Sequence, residues 1–196
     1  MLTKQHHLKT DTMSTPSKPD AAKLVIGVFT NSSSLFAPIA EKITEKYGSA
    51  DIISEWMPFD YTTYYEPEMG RGLMRRMISF DRLIEQDDLV DIKLFTNSIE
   101  KEFATDGNRM VNIDPGYLLM SRFILATGKD FTHRVYLKQG IYADLTLIFK
   151  KGTFQTLPWT YPDYADSIMF LFLNSVRNKY INDLKSARTN LLEIIK

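Results

Sequence analysis

The C-terminal half of the chain most restricts the possible folds, because short runs rich in β-branched and aromatic residues alternate there with tight turns. Runs at 133–137, 141–150 and 153–157 are separated by Lys138-Gln139-Gly140 and by Lys151-Gly152. Strand-like runs joined by two or three turn residues that include glycine are typical of β-hairpins. We therefore expect an antiparallel β-meander in this part of the chain.

Apolar spacing predicts the other elements. Runs rich in β-branched residues predict strands, whereas apolar residues three or four positions apart predict helices. The strands are expected at 23–30, 51–59, 109–113 and 123–127, with a turn at Asp114-Pro115-Gly116 after the third. The helices are expected at 35–47, at 69–84 and from Pro162 to about Leu184. Residues 89–103 fit a helix, which we favour, although 92–96 alone also fit a strand.

These elements predict an α+β fold in a single domain, residues 23–196. We expect a mainly antiparallel sheet with a C-terminal β-meander, helices packed on one face and a long C-terminal helix. Residues 1–22 are rich in Lys, Thr, Ser and Pro and have no hydrophobic period. That composition is typical of a disordered N-terminal tail, and residues 1–12, before Met13, are expected to be a dispensable extension.

Composition excludes several kinds of function. The chain of 196 residues has no cysteine, which excludes disulfides, zinc–thiolate sites, iron–sulfur clusters and thiol catalysis. Basic and acidic residues number 24 each, and this zero net charge argues against a general polyanion binder. No run of about 18 apolar residues predicts a membrane span, so we expect no membrane partner. Because His133 is the only histidine outside the tail pair His6-His7, any bound metal is expected to be a hard cation such as magnesium, held by carboxylates.

Two polar segments carry the candidate catalytic and ligand-binding residues. Asn112 and Asp114 alternate at the end of a predicted strand and therefore share a face, although Asp114 alone would also serve to close the turn. His133 is a candidate acid or base because its ordinary pKa of about 6.5 lies near working pH, and a purely structural histidine is the open alternative. The candidate catalytic residues are His133 and Asp114, and the candidate ligand-binding residues nearby are Asn112, Lys129, Arg134 and Tyr136. Of these residues, Lys129, His133 and Arg134 together could receive a phosphate or carboxylate.

Two aromatic-rich stretches complete the candidate site. One runs from Trp56 to Tyr65, and the other contains Trp159 and Tyr161. Tyr and Trp suit ligand walls because a large apolar body carries one polar tip, and they also stack on nucleic-acid bases. Packing beneath two long loops is the alternative interpretation. Carboxylates beside the first stretch, namely Asp60, Glu66 and Glu68, are the candidate magnesium ligands.

Several of these segments together resemble a known family. VNIDPGYL, ATGKDFTHRVYL, GIYADLTLIFKKG and FQTLPWTYPDY occur in that order, preceded by FDYTTYYEPEMG and IKLFTNSIE. From about Lys23 to Tyr180 the chain resembles the bacterial domain of unknown function family 4416. The resemblance implies a bacterial, cytoplasmic protein. Some members carry a GTP-binding label, which implies nucleotide binding, although this sequence lacks the usual phosphate-loop motif.

We therefore expect a soluble protein that binds an anionic small molecule such as a nucleotide or a phosphorylated metabolite. A reaction on that bound molecule is left open at this point. The alternative is a non-enzymatic RNA-binding or protein-interaction module, with RNA the less favoured partner because the chain is neutral. The sequence indicates neither the reaction nor the oligomeric state.

Overall fold

The computed structural model of the chain describes residues 15–194, and for 187–194 it describes the backbone alone. Most of the predicted tail, including His6-His7, lies outside the described residues. Within them, the stretch before Ala22 has no helix or strand, but it contacts the folded part. Lys18 Nζ lies 2.9 Å from a carboxylate oxygen of Glu85, and Gln86 donates to the carbonyl oxygen of Asp20.

Residues 15–194 form nine strands and four α-helices. The strands are β1 (Ala22–Thr30), β2 (Ala50–Ile53), β3 (Met57–Pro58), β4 (Met74–Ile84), β5 (Val111–Leu119), β6 (Arg122–Thr127), β7 (Arg134–Lys138), β8 (Ile141–Lys150) and β9 (Thr153–Thr156). The helices are α1 (Phe36–Tyr47), α2 (Glu66–Met69), α3 (Leu89–Glu102) and α4 (Ser167–Ile194), with a 3-10 turn at Pro162–Tyr164 before α4.

All nine strands described in residues 15–194 join one antiparallel sheet. The central order is β2-β4-β1-β5-β6-β8-β7, with β3 paired to β4 and β9 paired to β8. The α+β class, the antiparallel sheet, the meander of β7, β8 and β9 and the long C-terminal helix are confirmed. The predicted helices at 35–47 and 89–103 are confirmed as α1 and α3.

The helix predicted at 69–84 is wrong. Of its apolar stripe, Met69 ends the one-turn helix α2 and Leu73 lies in the link that follows. The rest of the stripe, Met77, Phe80 and Ile84, belongs to the long strand β4. β4 is covered on both faces over much of its length, so its apolar residues do not alternate and their spacing matches a helix by coincidence. The strand predicted at 51–59 is two shorter strands, β2 and β3.

The turn predicted at Asp114-Pro115-Gly116 is also wrong, because β5 runs straight through it. Pro115 is the register partner of Ile26 in β1. The backbone N–H and C=O of Ile113 point away from β1, and the two-residue period of a strand gives Pro115 the same direction. The nitrogen of Pro115 therefore faces away from β1, where its missing hydrogen breaks no bond to that strand.

Helices cover both faces of the sheet, whereas we expected them on one. Every residue of β1 is buried, so both of its faces need apolar cover. Register partners across strands share a face. α1 lies on the face of Val28 and Arg76, since Phe36 packs against Arg76. α3 contacts α1 through Phe95 and Tyr47.

α4 covers the opposite face, which carries Lys23 at the start of β1. The buried ammonium of Lys23 hydrogen-bonds to Asp51 and, at 2.6 Å, to Asp183 of α4. The hydroxyl of Tyr180 donates to the carbonyl oxygen of Ala21 over 2.6 Å, which ties α4 to the start of β1. Among the described residues, no helix combines the length and the apolar character that crossing a membrane requires.

Candidate functional site

The site is built around a separation between two neighbouring strands. β5 pairs with β6 only from Gly116 onward, so the backbone of Ile113 has no strand on that side. Lys93 Nζ of α3 donates to the Ile113 carbonyl oxygen over 2.8 Å, and Glu100 Oε1 accepts from the Ile113 N–H at 2.6 Å. Two side chains of α3 thus replace the missing strand and hold the sheet open at this point.

A cavity of about 640 Å³ lies where β5 and β6 separate. This volume is within the usual range for small-molecule sites, roughly 300–1,000 Å³. Its charged lining residues are five cations and four carboxylates. They are Arg75, Lys93, Arg109, Lys129, Arg134, Glu100, Asp114, Asp144 and Asp163. The aromatic lining comes from Phe59, Tyr61, Tyr64, Tyr65, Tyr161 and Tyr164.

Five of the predicted catalytic and ligand-binding residues line this cavity. They come from three separate segments of the sequence and are Asn112 and Asp114, Lys129 and Arg134, and Tyr161. The other three, His133, Tyr136 and Trp159, do not line it. Tyr136 is exposed on β7 and packs against Tyr142 with 5.3 Å between ring centroids.

His133 and Trp159 lie behind the cavity wall. Their rings stack with centroids 4.8 Å apart, and Trp159 donates to the Leu145 carbonyl oxygen. His133 Nε2 lies 3.2 Å from Asp144 Oδ2, the same oxygen that accepts from Arg134 Nε at 2.9 Å. The histidine therefore reaches the cavity only through the buried carboxylate of Asp144, which suits positioning rather than contact with a ligand.

Arg134 connects this wall to the mouth of the cavity. Besides Asp144, its guanidinium donates to Tyr161 Oη at 2.8 Å and to the Lys129 carbonyl oxygen at 2.9 Å. Lys129 is exposed and has no ion pair among the described residues. Its ammonium lies 4.7 Å from the centroid of the Tyr64 ring and 3.4 Å from its hydroxyl. Both cations therefore stand beside tyrosine rings.

Asn112 and Asp114 form part of a hydrogen-bonded chain on the other side. Asn112 Nδ2 donates to Asp114 Oδ1 at 2.9 Å, and Arg109 donates to Asn112 Oδ1 at 3.0 Å. Arg109 also binds both carboxylate oxygens of Glu68, at 2.8 and 2.7 Å. This hydrogen bonding to Arg109 lowers the pKa of Glu68. Asp114 is partly exposed to the cavity, with 27% of its side chain accessible.

Arg75 occupies the inner side of the cavity and is almost fully buried. Its guanidinium pairs with Asp163 and lies 3.4 Å from Asp114. It also stacks on the rings of Phe59 and Tyr164, at 4.7 and 4.9 Å. Burial raises the pKa of Asp163 and also that of Glu100, against the opposing effect of Arg75 and Lys93 respectively.

The predicted magnesium ligands are not brought together. Glu68 is held by Arg109, Glu66 lies 3.3 Å from Arg71, and Asp60 is exposed beside a smaller cavity of about 210 Å³. In the part of the chain that the structure describes, no group of three or more His, Asp or Glu side chains is arranged to hold a metal ion.

Sequence reasoning missed several residues of the site. Lys93, Asn97 and Glu100 follow helical spacing and form one polar stripe on α3, a signal present in the sequence. Arg75 was placed on a helix that does not exist, and Asp144 looked like an ordinary polar residue of a strand. The place of Asp144 in the site becomes visible only from the strand register, which sets Arg134 of β7 opposite Asp144 of β8.

Comparisons with known proteins identify a family and nothing more specific. Among curated proteins no match was found, and none was found among solved structures. The family model described as Domain of unknown function (DUF4416) matches residues 20–180, which includes the whole cavity lining. The chain therefore belongs to this family of unknown function.

Proposed function

We propose that the cavity binds an anionic small molecule, such as a nucleotide or a phosphorylated metabolite. The observation that carries the proposal is the convergence of Lys129 and Arg134 with exposed tyrosine rings at one end of a cavity of ligand size. Lysine and arginine bind phosphate as a point charge and as a planar fork, respectively. A bacterial, cytoplasmic setting belongs to the same proposal.

The walls suit a ligand that carries a ring as well as an anion. Tyr64 and Tyr161 are exposed, with 64% and 48% of their surface accessible, and both contact the cations. An aromatic or sugar ring can pack against them while its phosphate lies at Lys129. The cations exceed the carboxylates of the lining by one, so electrostatics favour an anion only weakly and shape contributes as well.

The proposal is binding rather than catalysis. Asp114 is the predicted catalytic residue that lines the cavity, whereas His133 lies behind Asp144. The residues that contact a ligand are therefore Lys129, Arg134, Tyr161 and Asp114.

Thermal unfolding of the wild type with nucleoside monophosphates, ribose 5-phosphate and inorganic phosphate tests this function. A ligand that binds the folded state alone raises the melting temperature. We expect a rise with at least one phosphorylated probe and a smaller rise in Lys129→Gln. Lys150→Gln, an exposed lysine of β8 away from the cavity, should respond like the wild type. No rise with any probe would reject the function.

A second candidate function, binding of single-stranded RNA, is favoured by the exposed rings around the cavity. Tyr64 and Tyr161 are exposed at the cavity and lie beside Lys129 and Arg134, and rings beside cations are typical of base-stacking surfaces. Neutral net charge opposes it. A gel shift with a short RNA that weakens steeply as salt is raised would support this function over the first.

A further inference from the structure

Two buried polar atoms in the described residues have no hydrogen-bond partner, and both belong to the cavity lining. They are Arg75 Nε and the hydroxyl of Tyr164. Both residues are at most 3% exposed. A buried donor without an acceptor destabilises a protein by about 1–3 kcal/mol, so two in one place call for an explanation.

The hydroxyl of Tyr164 lies over a gap in the sheet surface. Gly27 of β1 is the register partner of Asp114 and of Met77, so all three positions share a face. A Cβ atom at Gly27 would lie 3.4 Å from the Tyr164 hydroxyl and 3.0 Å from Met77 Sδ. The tip of Tyr164 therefore lies against Gly27. We call Arg75 and Tyr164, which line the cavity, the cavity floor.

Charge at the floor differs from charge at the mouth. Arg75 is already paired with Asp163 and lies 3.4 Å from Asp114, so two carboxylates face one guanidinium. A further full negative charge would be repelled there. At the mouth, by contrast, Lys129 has no carboxylate within ion-pair distance among the described residues. The floor thus favours an uncharged acceptor, and the mouth favours the anion.

We propose that the floor is a recognition subsite in which Arg75 Nε–H and the Tyr164 hydroxyl donate to a neutral carbonyl or hydroxyl oxygen of the ligand. This inference rests on the proposed function and orients its ligand. The anionic group lies at Lys129 and Arg134, and an uncharged, oxygen-bearing part points inward. The ligand class is thereby narrowed to phosphorylated molecules with such a part, for example nucleoside or sugar phosphates. Inorganic phosphate, which has no such part, would occupy only the anion site.

Tyr164→Phe is the informative variant, because it removes only the unpaired hydroxyl. Without ligand it should be at least as stable as the wild type in urea unfolding. Tyr180→Phe is the matched control, since the Tyr180 hydroxyl is buried and bonded to Ala21; that variant should be less stable. A clear loss of stability in Tyr164→Phe would show that its hydroxyl has a partner in the protein and would overturn the inference.

Calorimetric titration with uridine 5′-monophosphate, ribose 5-phosphate, uridine and inorganic phosphate completes the test. We expect Tyr164→Phe to lower the affinity for the three carbon-containing probes by about three- to tenfold and to leave the affinity for inorganic phosphate unchanged. Equal affinity of both proteins for all probes overturns the floor subsite while the anion site stands. If uridine and uridine 5′-monophosphate bind with equal affinity, and Tyr164→Phe lowers both affinities, the subsite is supported and the anion site is rejected. No binding of any probe rejects both.

Discussion

Lys93 and Ile113 are joined where the sheet would otherwise continue: the buried ammonium donates over 2.8 Å to a backbone carbonyl oxygen that has no neighbouring strand. Glu100 completes the replacement by accepting from the N–H of the same residue. Two side chains of α3 thus hydrogen-bond to both backbone polar groups of one strand residue, its N–H and its carbonyl oxygen. Because these side-chain hydrogen bonds take the place of strand pairing at Ile113, β5 and β6 can separate there without leaving backbone groups unpaired, and the cavity lies where they separate.

Lys93→Met should therefore destabilise the protein. Methionine fills similar space but leaves the Ile113 carbonyl unpaired and removes one of the two cations beside Glu100, leaving Arg109 as the other. The expected loss is about 1–3 kcal/mol of unfolding free energy, measured by urea unfolding at neutral pH. Lys101→Met, on an exposed position of the same helix, should change stability by no more than about 0.5 kcal/mol. Equal stability of the two variants would contradict the bridging role of Lys93.

Glu100 makes stability depend on pH. Burial raises its pKa above the ordinary 4.5, so the folded protein keeps this proton over a range in which the unfolded chain has released it. The contribution of Glu100 to the unfolding free energy is thus largest below pH 4.5 and falls as pH rises through the folded pKa.

Glu100→Gln removes that titration and keeps an oxygen that accepts from Ile113. The difference in unfolding free energy, wild type minus variant, should decrease from pH 4 toward pH 8. The raised pKa of Asp163 is common to both proteins and cancels in the difference. A difference that grows with pH would show that Glu100 is charged throughout.

Gly116→Ala tests the point at which the two strands come together. A Cβ there would lie 2.4 Å from the Ile124 carbonyl oxygen and 2.9 Å from Leu125 Cδ2. Because a backbone oxygen cannot move aside, we expect a loss of at least about 1–3 kcal/mol or failure to fold. Gly128→Ala is the control, since a Cβ at this cavity residue meets nothing within 4 Å. Similar melting temperatures for both variants would contradict the close approach.

Local patterns were sufficient for much of the fold. The turns at Gly140 and Gly152, where the chain has positive φ, predicted the meander, and helical spacing predicted α1 and α3. β4 was not predictable in this way, because two-sided burial depends on strands and helices distant in sequence. Pro115 was misinterpreted for a related reason: a proline is tolerated in β5 only because the neighbouring strand is absent at that point.

The site was predictable where its residues stand out locally. Asn112, Asp114, Lys129, Arg134 and Tyr161 lie in segments too polar or too aromatic for a simple core, and all line the cavity. His133 was selected only because imidazole can act as an acid or a base. In the structure it stacks on Trp159 and does not line the cavity. Arg75 was missed since a charged residue in an apolar run becomes informative only when its buried partners are known.

Arg134 and His133 should differ sharply as determinants of ligand binding, although they are adjacent in sequence and share Asp144. Arg134→Gln removes a cation from the cavity and its bonds to Tyr161 and Asp144, and we expect the affinity for a phosphorylated probe that binds the wild type to fall by about tenfold or more. His133→Phe keeps the stack on Trp159 and loses only the contact with Asp144, so the affinity should change by no more than about threefold. Calorimetric titration of both variants at pH 7 measures this difference, with urea unfolding to show that each is folded. If His133→Phe weakens binding as much as Arg134→Gln does, the histidine contacts the ligand and its predicted catalytic role regains support, because a residue that only positions Asp144 would not have so large an effect.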